Sequence, residues 1–346
     1  MTNDNTKNVV VSSRVRLARN AAKIPFPQKG ITVEEVAKGK KRKKKKKKVA
    51  YLVKCADKAA DFEHQLVFMS DLRDVDRQAL VERHLISPDL AKKDLGALLI
   101  SDDDSIAVMI NEEDHIRAQC IKNGFRLQEC YNAIDRYDDN LSKVMDVAYD
   151  SEFGYLTACL TNVGTGMRAS VMVFLPAMTF TNMIENFLLI AKENGLTFRG
   201  VYGERSNPVG CMYQLSNARP IGLTESQIIE NVSGVVSEMC ASEQGLRRQL
   251  LSSRKDELTD KAYRAYGILK NARMLSSGEF MELVAYLKLG MAMDVIEFND
   301  VKTLDKLIID AQPANLVKIA KSYSLNADQR DLVRAALVRH TLENLK

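Results

Sequence analysis

Zinc modules and disulfide frameworks are the first classes to fall away. The six cysteines, Cys55, Cys120, Cys130, Cys159, Cys211 and Cys240, are scattered with no CxxC pair, so reduced thiols are expected. Four histidines in 346 residues supply little for a metal cluster, and no protein-held metal site is expected. No apolar run approaches the roughly 18–20 residues of a membrane helix. The opening MTNDNTKNVV lacks an apolar core behind a basic patch, so no signal peptide is expected and the chain reads as cytoplasmic. Basic residues interleaved with aromatics over a folded face are also missing, which argues against a nucleic-acid partner.

The composition that remains is globular, 46% hydrophobic and 27% charged, with length for one large domain or two ordinary ones. The formal charge of +5 misleads. Lys38 and residues 40–48 carry ten positive charges in one low-complexity run, leaving the rest of the chain at −5. Such a run repels itself and reads as a solvated loop or helix face.

Residues 9–16 read as a strand, with polar and apolar positions alternating from Ser13. Helices are expected over 32–61, 74–84, 128–149 and 179–194, a buried strand over 106–110, and strand pieces within 153–176 and 198–217. Residues 162–166, NVGTG, read as a Gly-rich turn. After Gly222 the pattern changes: Thr224-Glu225-Ser226-Gln227 is a capping-box start, and helical spacing then continues to the C-terminus. The expected division is therefore residues 1–224 and 225–346.

Arginines recur beside apolar strands in the first part. Arg14 and Arg16 share a strand face, and Glu113, His115 and Arg117 would share one if that segment is extended. Arg168 follows the Gly turn, and Arg199 opens RGVYGE. Singly, each reads as a solvated or salt-bridged side chain. Together they call for an anion, because unpaired buried charge is costly and guanidinium forks suit phosphate oxygens.

Residues 12–16 (SSRVR), 111–117 (NEEDHIR), 157–172 (TACLTNVGTGMRASVM) and 199–204 (RGVYGE), followed by Ser216-Asn217, resemble the ATP:guanidino phosphotransferases. That family includes creatine and arginine kinases and the bacterial protein arginine kinases. The resemblance covers about residues 9–220 in co-linear order. It implies an α+β fold, a mostly antiparallel sheet with flanking helices, followed here by an α-helical domain. Neither a Walker A sequence nor a kinase Gly-rich loop is present.

By this resemblance ATP is bound by Ser12, Ser13, Arg14, Val15, Arg16, His84, Arg117, Arg168, Ala169, Ser170, Val171, Met172, Arg199, Gly200, Val201, Tyr202, Gly203 and Glu204. Mg²⁺ would bridge phosphate oxygens with few protein ligands. Glu113 is implied as the general base, Glu204 as the carboxylate that orients the guanidinium, and Cys159 as the reactive cysteine beside it. Glu112, aimed away by strand alternation, ranks second, and Asp114 is expected to serve structure. Leu160 stands where the family usually has proline, and Arg205-Ser206-Asn207-Pro208 replaces a small or acidic stretch.

The helical domain expected after the catalytic part, with none before SSRVR, resembles the protein arginine kinases rather than the phosphagen kinases. So does Arg330-Asp331-Leu332-Val333-Arg334-Ala335, which matches their RDxxRA phosphoarginine pocket. Arg330 and Arg334 share a helix face at that spacing, with Leu332, Val333, Ala336 and Leu337 expected on the other. A plain amphipathic helix with Asp331 offsetting the arginines is the rival reading. The resemblance implies phosphorylation of arginine side chains in proteins, a mark for the Clp unfoldase and protease in bacterial stress response. It also implies activator and repressor partners and a homodimer or larger homo-oligomer. Alternatives are a kinase for free arginine or another guanidino compound, and an inactive phosphoarginine-binding adaptor.

Overall fold

The computed structural model describes residues 4–27, 39–201, 209–297, 300–322 and 324–345. Strand β1 (Val10–Arg19) is followed by helix α1 (Gly39–Ala59), β2 (His64–Phe68), α2 (Asp74–Glu82) and α3 (Pro88–Ala91). Next come β3 (Ala97–Ser101), β4 (Ile106–Ile110), β5 (Ile116–Asn123), α4 (Leu127–Val144) and the short hairpin β6 (Tyr149–Asp150) and β7 (Gly154–Tyr155). The chain continues through β8 (Met167–Phe174), α5 (Pro176–Phe180), α6 (Ile184–Glu193), β9 (Leu196–Gly200) and β10 (Met212–Asn217). Six helices follow: α7 (Glu225–Ser253), α8 (Lys255–Asn271), α9 (Ser277–Ala292), α10 (Val301–Asp310), α11 (Pro313–Ile319) and α12 (Ala327–Glu343).

Two compact units are formed, one from residues 12–170 and 216–233, the other from 1–11, 171–215 and 234–346. The protein is α+β, with an antiparallel sheet flanked by helices and a helical C-terminal region. In the first unit the strand order is β2-β3-β4-β5-β1-β8. All five residues of β3 and of β4 are buried, so the apolar runs need no alternation. Leu98, Ile100, Ala107 and Met109 pack with Met69, Leu85, Ile86 and Leu90. Helix α1 packs against β3, β4 and α4 and buries Leu52, Ala56 and Ala59 at helical spacing.

The second unit carries β8, β10 and β9 as neighbours and the helical region. Its largest apolar cluster gathers Leu269, Phe280, Leu287, Leu304, Val338 and Leu342. Gly290 permits the close approach of α8 and α9, since a Cβ there would lie 2.7 Å from that of Ala262.

Two expected helices are corrected. The one over 179–194 is two, α5 and α6, because Asn182 adopts a left-handed conformation (φ 56°) between them. The one over 128–149 ends at Val144, after which Ala21 and Val147 form a bridge and Tyr149 enters a hairpin. The lysine-rich run is continuous with α1 from Gly39; residues 32–38 lie outside the described part.

Charge inside the second unit is paired. Glu243, fully buried, accepts from Arg247 Nε (2.7 Å) and from the backbone N–H groups of Ala177 and Met178 at the start of α5. Arg247 also donates to the carbonyls of Asn8 and Phe174. Lys288 pairs with Asp305 and lies 4.5 Å from the centre of the Phe174 ring. Removing one partner strands the other, so Glu243→Ala should destabilise the protein by about 3–5 kcal/mol. Urea unfolding checks this, with Glu243→Gln expected to lose less because its amide oxygen still accepts a hydrogen bond.

Candidate active site

Alternation along β1 and β5 builds a cationic surface in the first unit. The register sets Arg16 opposite Gln119, Arg14 opposite Ile121 and Ala18 opposite Arg117, so Arg14, Arg16 and Arg117 point to one face. Arg168 and Ser170 share a face of β8, and Arg14 Nε donates to Ser170 Oγ at 3.4 Å. Arg168 donates to Ser216 Oγ from Nε and Nη2, at 3.3 and 3.1 Å. Burial, then the charges of Arg14, Arg117 and Arg168, press the Arg16 guanidinium well below its ordinary pKa, with Glu112 opposing them. A guanidinium stays protonated in proteins, so Arg16 remains a cation set among cations, an arrangement that an anion would relieve.

Two of the five SSRVR residues, Ser13 and Val15, face the other way. Ser13 is fully buried, donates to the Gly124 carbonyl (2.9 Å) and accepts from the Arg126 N–H, while Val15 lies in the core. Ala169 and Val171 are buried likewise, and the Ala169 N–H donates to Asn217 Oδ1. These members support the motif from behind.

The carboxylates sit on a turn, not on an extended strand. Residues 111–115 link β4 to β5; Asn111 has φ 61°, and its N–H donates to the His115 carbonyl (2.8 Å). The expected common face of Glu113, His115 and Arg117 is thereby corrected, because a closed loop does not alternate. Glu112 is fully buried and accepts from Ser87 Oγ (2.5 Å), Arg117 Nη1 (2.8 Å) and the Glu113 N–H (2.8 Å). Despite its burial, these partners, Arg117 first, hold its carboxyl below the ordinary range. Glu112 is thus the counter-ion of Arg117, a role that strand alternation concealed. Glu113 projects half-buried between Glu112 and the buried Asp114. Lys93 donates to the carbonyls of Asn111 (3.4 Å) and Glu112, and burial lowers its amine while Glu112, Asp89 and Glu113 oppose that.

His115 faces inward. Its Nδ1 accepts from the Ala21 N–H (3.1 Å), which leaves Nε2–H to donate to the Pro25 carbonyl (3.1 Å). His84 has φ 61°, and its turn is held by Gln119 Nε2, which donates to the His84 and Leu85 carbonyls. The buried His84 Nε2 has no hydrogen-bond partner among the described residues, and Arg14 lies in its field. Cys159 is partly exposed. Its Sγ is 3.0 Å from Thr161 Oγ1, and its carbonyl accepts from Thr157 Oγ1. Leu160 beside it is 88% exposed.

Arg19, absent from the sequence reading, anchors the Gly turn. Its guanidinium pairs with Asp138 (2.6 Å), lies 3.4 Å from the centre of the Tyr155 ring and donates to the Thr165 carbonyl. A Cβ at Gly166 would lie 2.6 Å from its Nη1.

In the second unit, Met172 continues β8, Arg199 is exposed on β9, and Gly200 and Val201 follow it. Tyr202, Gly203, Glu204 and Arg205 lie outside the described residues. The expected faces of α12 are also corrected. Arg334 is buried with Ala335, whereas Leu332 and Ala336 are exposed. Arg334 donates to the Ala311 and Leu275 carbonyls and to Asp331 (2.5 Å), and these acceptors satisfy it inside the core. Arg330 donates to the Leu325 carbonyl (2.8 Å), Val333 is half-buried, and Asn326 with Gln329 forms a capping box.

Residues 45–246 match the family model for the ATP:guanido phosphotransferase C-terminal catalytic domain. The chain belongs to the ATP:guanido phosphotransferase family. Residues 255–346 of this phosphotransferase match the model of the protein-arginine kinase McsB C-terminal domain. It is 43% identical over 333 residues to the protein-arginine kinase of Caldanaerobacter subterraneus subsp. tengcongensis, covering 96% of each chain. It is 41% identical over 341 residues to that of Shouchella clausii, covering 97% of this chain and 92% of the other. The fold is shared with lombricine kinase (TM-score 0.59, 21% identity, 72% of this chain and 69% of the other). It is shared also with the duplicated taurocyamine kinase of Schistosoma mansoni (TM-score 0.62, 20% identity, 84% and 46%).

Two histidines of this phosphotransferase make its stability pH-dependent. Burial pushes His84 and His115 down to about 4, helped by Arg14 for His84 and by Lys48 for His115. The unfolded chain takes up these protons near about 6.5. Between those values the unfolded state binds more protons, so their contribution is complete above about 6.5 and is lost as pH falls toward 4. Unfolding midpoints measured from pH 7 down to 4.5 should fall, and His115→Gln should make the fall shallower.

Proposed function

We propose that this phosphotransferase transfers the γ-phosphoryl group of ATP to arginine side chains of proteins. The observation that carries the reading is the cationic face of Arg14, Arg16, Arg117 and Arg168, with the Glu113 turn at its edge. Phosphoryl transfer leaves little covalent work for a protein, so positioned positive charge and an aligned nucleophile supply most of the catalysis. The arginines hold the phosphate oxygens, and His84 Nε2, which has no partner among the described residues, meets the nucleotide. Glu113 holds one guanidinium nitrogen in line with the γ-phosphorus and accepts its proton as the P–N bond forms and the bond to ADP breaks. Glu204 and Arg199 complete the assignment by family resemblance, and Cys159 pairs with the substrate cation.

Among the described residues no three His, Cys, Asp or Glu side chains gather to hold a metal. By the family resemblance Mg²⁺ would be carried by the phosphates and would neutralise their charge. We assign catalysis to residues 1–224 and regulation and self-association to the helical residues 225–346. Arg330 is the member of the RDLVRA segment best placed to meet a phosphoarginine, since Arg334 is engaged in the core. The protein-arginine kinase relatives support a protein substrate with exposed arginine. We extend the reading to a cytoplasmic enzyme of the stress response whose mark directs proteins to a Clp unfoldase and protease, with activator and repressor partners.

The deciding experiment incubates the full chain with Mg-ATP and either an arginine-rich unfolded protein or free arginine. Mass spectrometry under non-acidic conditions then locates the phosphate. Phosphoarginine on the protein is expected, with Glu113→Gln at least about 100-fold slower. Phosphate on free arginine alone would place the chain with the small-guanidine kinases. No transfer, with phosphoarginine still bound, would leave an adaptor.

A further inference from the structure

The turn that carries Glu113 and the loop that carries Cys159 are far apart in sequence but end on one carboxylate oxygen. Asp114 Oδ1 accepts from the Ala158 N–H at 2.7 Å and from Asn20 Nδ2 at 2.6 Å. Ala158 precedes Cys159, and Asp114 follows Glu113. Asn20 is fully buried and divides its amide between the same two segments. Its Nδ2 also donates to the Leu156 carbonyl (3.1 Å), and its Oδ1 accepts from the His115 N–H (2.9 Å). The Asn20 carbonyl accepts from the Ala148 N–H, which fixes the strand exit to the chain entering the hairpin. Asp114, Asn20 and His115 are buried and Leu156 and Ala148 partly so, while Ala158 is exposed; water replaces the bonds among the buried groups poorly.

From this convergence we infer that Asp114 is a positioning residue that sets Glu113 and Cys159 relative to one another through the Asn20 amide. The inference rests on the proposed roles of Glu113 and Cys159. Elsewhere in the turn Glu112 is held by Arg117 and Ser87, and Asn111 by the Leu95 carbonyl. Asp114 ties the turn to the acceptor side. Its loss should therefore disturb alignment of the guanidinium and leave the arginine face in place. A misplacement near 1 Å lowers turnover by about 100-fold.

The test compares Asp114→Ala and Asp114→Asn in the full chain, reading kcat, KM for ATP and the iodoacetamide alkylation rate of Cys159. The other five cysteines are buried, and peptide mass spectrometry assigns the label. Asp114→Ala should lower kcat about 100-fold, leave the KM for ATP within about twofold and speed Cys159 alkylation several-fold. Asp114→Asn keeps an acceptor oxygen and should restore kcat to within about tenfold, with alkylation as in the parent. Three results overturn the inference: unchanged kcat or alkylation in Asp114→Ala, a KM for ATP that rises in step with the loss of kcat, or an Asp114→Asn variant as impaired as Asp114→Ala. Should Asp114→Ala not fold, the Asp114→Asn values alone decide, since preserved turnover and alkylation are required. Alkylation does not depend on turnover. If Glu113→Gln proved active, the general-base assignment would fall while the Asp114 tie would still be judged by Cys159.

Discussion

Repulsion among guanidinium groups is the constraint on which the first unit is built. Arg14, Arg16, Arg117 and Arg168 share one sheet surface, and burial adds to the disfavour their charges impose on Arg16. The fold answers with one buried carboxylate, Glu112, and with neutral acceptors, Ser170 and Ser216. Four guanidinium groups gathered on one surface favour an anion carrying several oxygens beside them. Strand registry makes this possible, because a sheet holds side chains at fixed spacing more rigidly than loops do.

The turn between β4 and β5 presents the carboxylate of Glu113 beside that face. Glu112 takes Arg117, and Asp114 takes Asn20 and the Ala158 N–H, so both flanking carboxylates are committed and buried. Glu113 between them keeps partial exposure. On a strand Glu112 and Asp114 would share a face and repel one another, with Glu113 on the opposite face. On the turn Glu112 and Asp114 each meet their own partners.

Period-two features were legible in the sequence. β1 and the shared face of Arg14 and Arg16 follow from alternation, β4 from its continuous apolar run, and the Gly turn before Arg168 from turn chemistry. The four co-linear motifs carried the family. What escaped depended on contacts distant in sequence. Alternation was extended through residues 111–115, where the left-handed Asn111 closes a loop instead. Arg19 gave no sign that Tyr155, Asp138 and the Thr165 carbonyl would converge on it. The break between α5 and α6 falls at Asn182, a residue that tolerates positive φ but does not announce it.

Helix α12 shows why hydropathy misleads where arginine is structural. Leu332 and Ala336 were expected on the face opposite Arg334, and it is Arg334 that is buried while those two are exposed. The Ala311 carbonyl lies at the C-terminal end of α10, where unpaired carbonyls and the helix dipole both favour a cation. The Leu275 carbonyl lies before α9, and Asp331 one turn back supplies the charge. A guanidinium satisfies all three at once, which no apolar side chain could do. The two arginines of RDLVRA therefore have different duties despite their common spacing. Arg334 joins three segments of the helical core, and an anion reaching this helix would have to displace its acceptors. Arg330 donates to the Leu325 carbonyl near the capped start of the helix, the end that favours an anion, so recognition of a phosphoryl group would fall first to Arg330.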